Sequence, residues 1–194
     1  MIFTSLVQSI SGIVKGDIIC KTDSCREWLS DKDQFEEWGP NFWVEMTIKI
    51  NKPPAEWSFR SHRILQVTTG QNCCGVGSRI PGVWLIAKDG KPYLHVDIAM
   101  TGDRVGKDFE LKMRNRPNAI KIMQNAGTFT VDIGGIAVWN LQTGRPLEPF
   151  TNVKVYGYSP WARQYTALAD VGQVEMEWLY QSMDPFKNDN GQVM

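Results

Sequence analysis

The chain has 194 residues, with 21 Lys and Arg against 21 Asp and Glu and a formal net charge of zero. That length suffices for one domain around one buried core, and the even charge gives no reason to expect nucleic acid or an anionic membrane surface as partner. No run approaches the ~18 apolar residues that span a bilayer, while 8 Trp suit either a sandwich core or a surface that stacks on flat ligands.

The first stretch, "MIFTSLVQSISGIVKGD", lacks a basic start and alternates too much to read as a signal peptide. Residues 23–39, "DSCREWLSDKDQFEEWG", offer Asp23 or Ser24 as an N-cap and Gly39 as a stop. A short helical turn or a surface loop fits this segment equally well. "FWVEMTIKI" at 42–50 is the clearest strand, with Phe42, Val44, Met46, Ile48 and Ile50 on one face and Trp43, Glu45, Thr47 and Lys49 on the other. Pro53 and Pro54 end it.

A strand at 64–67 runs into "TTGQNCCGVGSRIPGVW", a glycine-rich turn that holds Cys73 and Cys74 side by side. "VWLIAKDGKPYLHVDIAM" then carries Asp89-Gly90 between two apolar runs, the composition of a type I′ hairpin. Such a turn sets Leu85 against Leu94 and Val83 against Val96 on one face. On the other face it sets Trp84 against His95 and Ile86 against Tyr93. After a strand at 119–123, "FTVDIGGIAVWN" repeats the device around Gly134-Gly135. Here Phe129, Val131, Ile133, Ile136 and Val138 are expected on one face, and Thr130, Asp132, Ala137 and Trp139 on the other. Strands at 153–156 and 174–179 complete the set, and the polar tail 183–194 has little to bury and is expected to be flexible. Short strands separated by turn clusters indicate an all-β sandwich with little helix, as one domain over residues 1–182.

From about 42 to 179 the order "FWVEMTIKI", "HRILQVTTG", "RIPGVWLI", "KPYLHVDI", "FTVDIGGIAVWN", "FTNVKVYGYSPW", "GQVEMEWLY" resembles the concanavalin A-like lectin/glucanase and laminin G-like jelly-roll superfamily. The resemblance implies an antiparallel two-sheet jelly-roll sandwich with ligands on a concave sheet or along one rim. It also implies an extracellular or secreted setting. The superfamily holds sugar binders, protein binders and glycoside hydrolases, so the fold does not select the ligand. The galectin H-x-N-P-R run is absent from this sequence. No contiguous acidic calcium loop is present either; calcium is left open, with no metal ligand assigned.

Several constellations carry chemistry. Cys20, Cys25, Cys73 and Cys74 do not suit zinc, because adjacent thiolates chelate one tetrahedral ion poorly. A Cys20 to Cys25 disulfide, two bridges between the pairs, a vicinal Cys73-Cys74 bond, and unpaired cysteines at a bend all stay open. A nucleophilic cysteine would need a histidine base, and the sequence has only His62 and His95. Glu175 and Glu177 share a strand face and could form a hydrolase pair, although the family's E-x-D-x-x-E run is missing; a solvated strand face explains them too. The aromatic and polar set Trp84, Tyr93, His95 and Asp97, joined by Arg79, Gln71 and Asn72 from the cysteine turn, suits a shallow sugar site: an indole stacks on C–H groups while the polar side chains meet hydroxyls. The alternative is a sheet side covered by the "EEWGPNFW" segment. The sequence therefore points to a non-catalytic module that recognises a carbohydrate or an extracellular protein. A glycoside hydrolase using Glu175 and Glu177, or a structural domain that buries its aromatics against a second copy, are the other readings.

Overall fold

A computed structural model describes residues 12–16, 34–38, 41–50, 52–57, 60–71, 73–102, 104–113, 116–125, 127–143, 149–156 and 174–180, with the backbone alone for 12–16, 34–37, 155 and 174–180. Two six-stranded antiparallel sheets pack face to face. The first takes the order β1 (Gly12–Gly16), β12 (Val174–Tyr180), β3 (Phe42–Ile48), β8 (Asn118–Asn125), β9 (Thr128–Ile133), β10 (Ile136–Gln142). The second takes β2 (Gln34–Trp38), β11 (Phe150–Tyr156), β4 (Ser61–Thr68), β5 (Gly82–Lys88), β6 (Lys91–Ile98), β7 (Val105–Glu110). This is the all-β jelly-roll sandwich expected. Among the described residues its only helical element is a 3₁₀ turn at Pro54–Glu56, and no helix is long and apolar enough to cross a membrane.

The core follows from period-2 patterning. In β3 the buried Phe42, Val44, Met46 and Ile48 alternate with the half-buried Trp43, Glu45 and Thr47. From the second sheet Leu65, Val67, Val83, Leu85, Leu94 and Val96 meet them, all fully buried. Aromatic contacts close the sandwich: Trp38 of β2 against Phe42 of β3 at 5.4 Å, and Phe109 of β7 against Trp139 of β10 at 6.0 Å.

The β5–β6 hairpin has the expected register, with Leu85 opposite Leu94 and Trp84 opposite His95. Asp89 and Gly90 both take positive φ, 51° and 72°, as a type I′ turn requires. The β9–β10 hairpin departs from expectation. A register shift between Ala137 and Trp139 sets Trp139 opposite Val131, so one extra residue reverses the parity of the strand. Trp139 is therefore buried against Phe129 at 5.5 Å. Ile136, ahead of the bulge and opposite Ile133 at the turn, is 68% exposed although expected on the core-facing side. A second correction concerns residues 34–38, expected as a helical turn or loop. They form β2, pair with β11, and bury Trp38. The rest of that segment, Cys20 and Cys25, and the tail 183–194 lie outside the described residues.

Candidate functional site

The core-facing parity of β4 to β7 leaves the opposite parity to form the outer face of the second sheet. Register places Arg63, Trp84, His95 and Asp108 in one cross-strand row, and Ile86, Tyr93 and Glu110 in the next. Gln66, Gly82, Asp97 and Gly106 form the row on the other side. A bulge at Ile64 makes the first row possible. It lets both Ile64 and Leu65 turn inward while Arg63 stays outward, opposite Trp84.

Asp97 stands on this outer side yet is 1% exposed. The two glycines flanking it across the sheet explain how. A Cβ on Gly106 would collide with Asp97 Oδ1 and lie 3.0 Å from the His95 ring, so the carboxylate and imidazole occupy the space a side chain would fill. A Cβ on Gly82 would lie 2.5 Å from Cη2 and 2.7 Å from Cζ3 of Trp84, so the indole folds across that glycine. Neither glycine has a positive φ; they are needed for space.

Basic groups surround the buried carboxylate. Arg79 Nη1 donates to Asp97 Oδ2 in an ion pair, Arg104 Nε lies 3.5 Å from Oδ1, and His95 Nε2 lies 3.4 Å from Oδ2. His95 Nδ1 meets Asp108 Oδ1 at 2.6 Å. The guanidinium carbons of Arg63 and Arg79 lie 4.9 and 4.7 Å from the Trp84 ring centre, both within cation–π range. Burial, together with repulsion from Arg79 and against the attraction of Asp97, holds the Arg63 pKa down to about 10. Arg79 is also pushed down, by burial and by Arg104, against the opposing pull of Asp97. Burial works against a charged His95, but its hydrogen bonds to Asp97 and Asp108 outweigh it and raise the ring's pKa above the ordinary value. Arg63 is therefore cationic near neutral pH, and His95 keeps its proton to a higher pH than an ordinary imidazole.

The loop between β4 and β5 delivers Arg79. Thr69 N donates to Gly77 O at 2.9 Å, Gly77 N to Ala99 O at 2.8 Å, Ile80 N to Val67 O at 2.8 Å, and Ala99 N to Arg79 O at 2.9 Å. The side chain of Gln66 donates to Ser78 O at 2.8 Å from within the sheet. Gln71 is exposed on this loop, and its carbonyl accepts from Thr68 Oγ1 at 2.9 Å. Cys73 and Cys74 are joined to each other, and Arg79 Nη2 donates to Cys73 Sγ at 3.8 Å.

The structure thus brings together Arg79, Trp84, His95 and Asp97 of the expected set. Tyr93 lies one row away, with Lys88 Nζ 5.7 Å from its ring, and Asn72 lies outside the described residues. One expectation changes: Trp84 is 9% exposed, so its ring is packed against two guanidiniums and is not an open stacking plate. Arg63, Arg104, Asp108, Gly82 and Gly106 were not foreseen. Only the pairing of β4 with β5 and of β6 with β7 reveals them.

Glu175 and Glu177 belong to β12 of the other sheet, in register with Thr47 and Lys15. They share no sheet with the Arg79 cluster. On that sheet a shallow groove of about 340 Å³ is lined by Glu45, Thr47, Ala119, Lys121 and Asp132, with Lys121 paired to Glu45 at 2.9 Å. Among the described residues no group of three His, Cys, Asp or Glu has the arrangement to hold a metal ion.

No family model matches the chain, and no curated protein matches it. Solved structures with a similar chain path include an alginate lyase from Alteromonas sp.272, at 13% identity over 75% of this chain and 54% of that one, with a TM-score of 0.42. A botulinum neurotoxin type C structure, described as entering cells through two ganglioside molecules, is 12% identical over 80% of this chain and 35% of its own, with a TM-score of 0.45. Domain 4 of a GH43 extracellular arabinanase from Geobacillus stearothermophilus, in complex with arabinotriose, is 11% identical over 78% and 68%, with a TM-score of 0.46. The chain spans about half the length of the alginate lyase and about a third of the neurotoxin chain.

Proposed function

We propose that the chain is a non-catalytic binding module whose outer β4–β7 face takes an acidic carbohydrate, with a sugar carboxylate received by Arg63 and Arg79 over Trp84. The observation that carries this reading is the pair of guanidiniums packed on one indole, 4.9 and 4.7 Å from its centre. Both are desolvated, and the charge on Arg79 weakens Arg63's hold on its proton. A bound carboxylate would relieve that repulsion and accept charge-assisted hydrogen bonds from planar donors shaped for it. Among the described residues the buried Arg79 Nε has no hydrogen-bond partner. Tyr93 and Gln71, on the same face and its rim, add the flat and amide surfaces that sugar rings and hydroxyls use.

The histidine supports binding over catalysis. Both ring nitrogens of His95 face carboxylates, at 2.6 and 3.4 Å, so its proton is held and it is a poor general base. The test is calorimetric titration of the full chain with tetragalacturonate and with maltotetraose, a neutral saccharide of equal length. The charged tetramer should bind at least about tenfold more tightly, and its affinity should fall as salt rises. Equal affinity for the two sugars would sink the assignment of the arginines. Shorter products appearing on incubation would sink the non-catalytic part.

A further inference from the structure

The Cys73-Cys74 pair is exposed at the rim, on a loop whose backbone is pinned on both sides of it. Before the pair, Thr68 Oγ1 accepts from Gly70 N at 3.1 Å and from Gln71 N at 3.2 Å. After it, Ser78 N donates to Gly75 O at 3.0 Å and Gly77 N to Ala99 O at 2.8 Å. A change at the sulfur is therefore not absorbed by a swing of the loop. It is felt at the group the sulfur touches, which is Nη2 of Arg79, 3.8 Å away. That same guanidinium pairs with Asp97 and lies over Trp84.

We infer that Cys73 is a positioning residue that sets how available Arg79 is to an anionic ligand, according to whether it is bonded to Cys74. In the disulfide, the Cys73 sulfur is neutral and a weak acceptor, and Arg79 is left to the ligand. Reduction by a small-molecule thiol breaks the bond between the Cys73 and Cys74 sulfurs and forms one between two reductant sulfurs. The two electrons come from the reductant, and its two protons end on the two cysteines. Cys73 then has the Arg79 guanidinium 3.8 Å away, with Asp97 paired to that same guanidinium and opposing its effect. That surrounding favours the thiolate, with the proton passing to solvent. The thiolate takes Arg79 Nη2 and competes with the ligand carboxylate. This inference rests on the acidic-carbohydrate reading of the face for its effect on binding, but its coupling of sulfur to guanidinium is separate.

The experiment uses the full chain with Cys20→Ser and Cys25→Ser, so that one pair reacts. After reduction with dithiothreitol and desalting under nitrogen, iodoacetamide alkylation of Cys73 is followed against pH by peptide mass. Its half-maximal rate should come about 1 to 3 pH units lower than in the same chain with Arg79→Gln, and Arg79→Lys should restore most of that shift. Tetragalacturonate affinity should fall about tenfold on reduction. Cys74→Ser, which leaves Cys73 unpaired, should bind as weakly as the reduced chain with or without reductant. A Cys73 profile indifferent to Arg79→Gln overturns the inference, as does an affinity unchanged by reduction in a chain that binds when oxidised. If the oxidised chain binds no saccharide, the reading of the face fails, and the alkylation profile alone decides whether Cys73 and Arg79 are coupled.

Discussion

Gly82→Ala tests whether Trp84 lies where the outer face requires it. The added methyl would come 2.5 and 2.7 Å from two indole carbons and 3.3 Å from Arg79 Cδ, against a normal carbon contact of about 3.5 to 4.0 Å. The indole must shift by roughly 1 Å to restore that spacing, and it is covered by Arg63 and Arg79. Overpacking of this kind costs about 1 to 3 kcal/mol. The glycine has no positive φ, so alanine also gains about 0.4 to 1 kcal/mol by restricting the unfolded chain. The net loss should lie between about 0 and 2.6 kcal/mol, centred near 1.3 kcal/mol, read as a lower urea midpoint with an unchanged slope. In a Trp84→Val background the obstacle is gone and only the gain remains, so the same substitution should become neutral or slightly stabilising. The double-mutant cycle isolates this coupling. An equal loss in both backgrounds would show that Gly82 serves the backbone and not the indole.

Asp97→Asn keeps the shape but leaves Arg79 and Arg104 without their buried counter-charge; a loss of about 3 to 5 kcal/mol in urea unfolding is expected. His95 has a folded pKa raised above 6.5, so its contribution to stability is complete below that pH and is lost as pH rises through the raised value. The urea midpoint of wild type minus that of His95→Gln should therefore shrink from pH 6 to pH 8; a difference that grows would reverse the assignment. Arg63→Ala should weaken tetragalacturonate binding by about tenfold or more, the loss of one charged hydrogen-bonding group, and should flatten its salt dependence in calorimetry. Phe129, fully buried between the sheets, should cost about 3 to 5 kcal/mol as alanine while leaving the His95 pH profile unchanged.

What was legible in the sequence was local. Asp89-Gly90 fixes a two-residue turn, and from that turn the pairing of Trp84 with His95 follows residue by residue. Alternation in "FWVEMTIKI" gives the core face of β3 for the same reason. A bulge obeys no such count. Nothing in "GGIAVWN" marks Val138 as the extra residue, so Trp139 was assigned to the wrong side. Phe35 and Trp38 carry strand character, but their partner strand lies more than a hundred residues away. Cross-strand pairing hid the site as well. Arg63 meets Trp84 only after β4 pairs with β5, and Gly106 becomes the space beneath Asp97 only once β7 takes its place at the sheet edge. The cysteine turn is legible as the source of Arg79, but not the buried ion pair that Arg79 makes with Asp97.

The proposed binding of an anion rests on the charges of this face. Asp97 is approached by Arg79, Arg104 and His95 together, and Asp108 is shared by His95 and Lys88, the latter at 3.7 Å. Arg63 feels the attraction of Asp97 and the larger repulsion of Arg79. A sheet face exposed to water on one side tolerates neighbouring like charges where solvent and counter-ions screen them. Arg63 and Arg79 are instead held against an indole, where screening is weak and repulsion persists. On the proposed reading, a ligand carboxylate meeting both guanidiniums would offset that repulsion. The oxidation state of Cys73 then decides whether that anion comes from a ligand or from the protein itself.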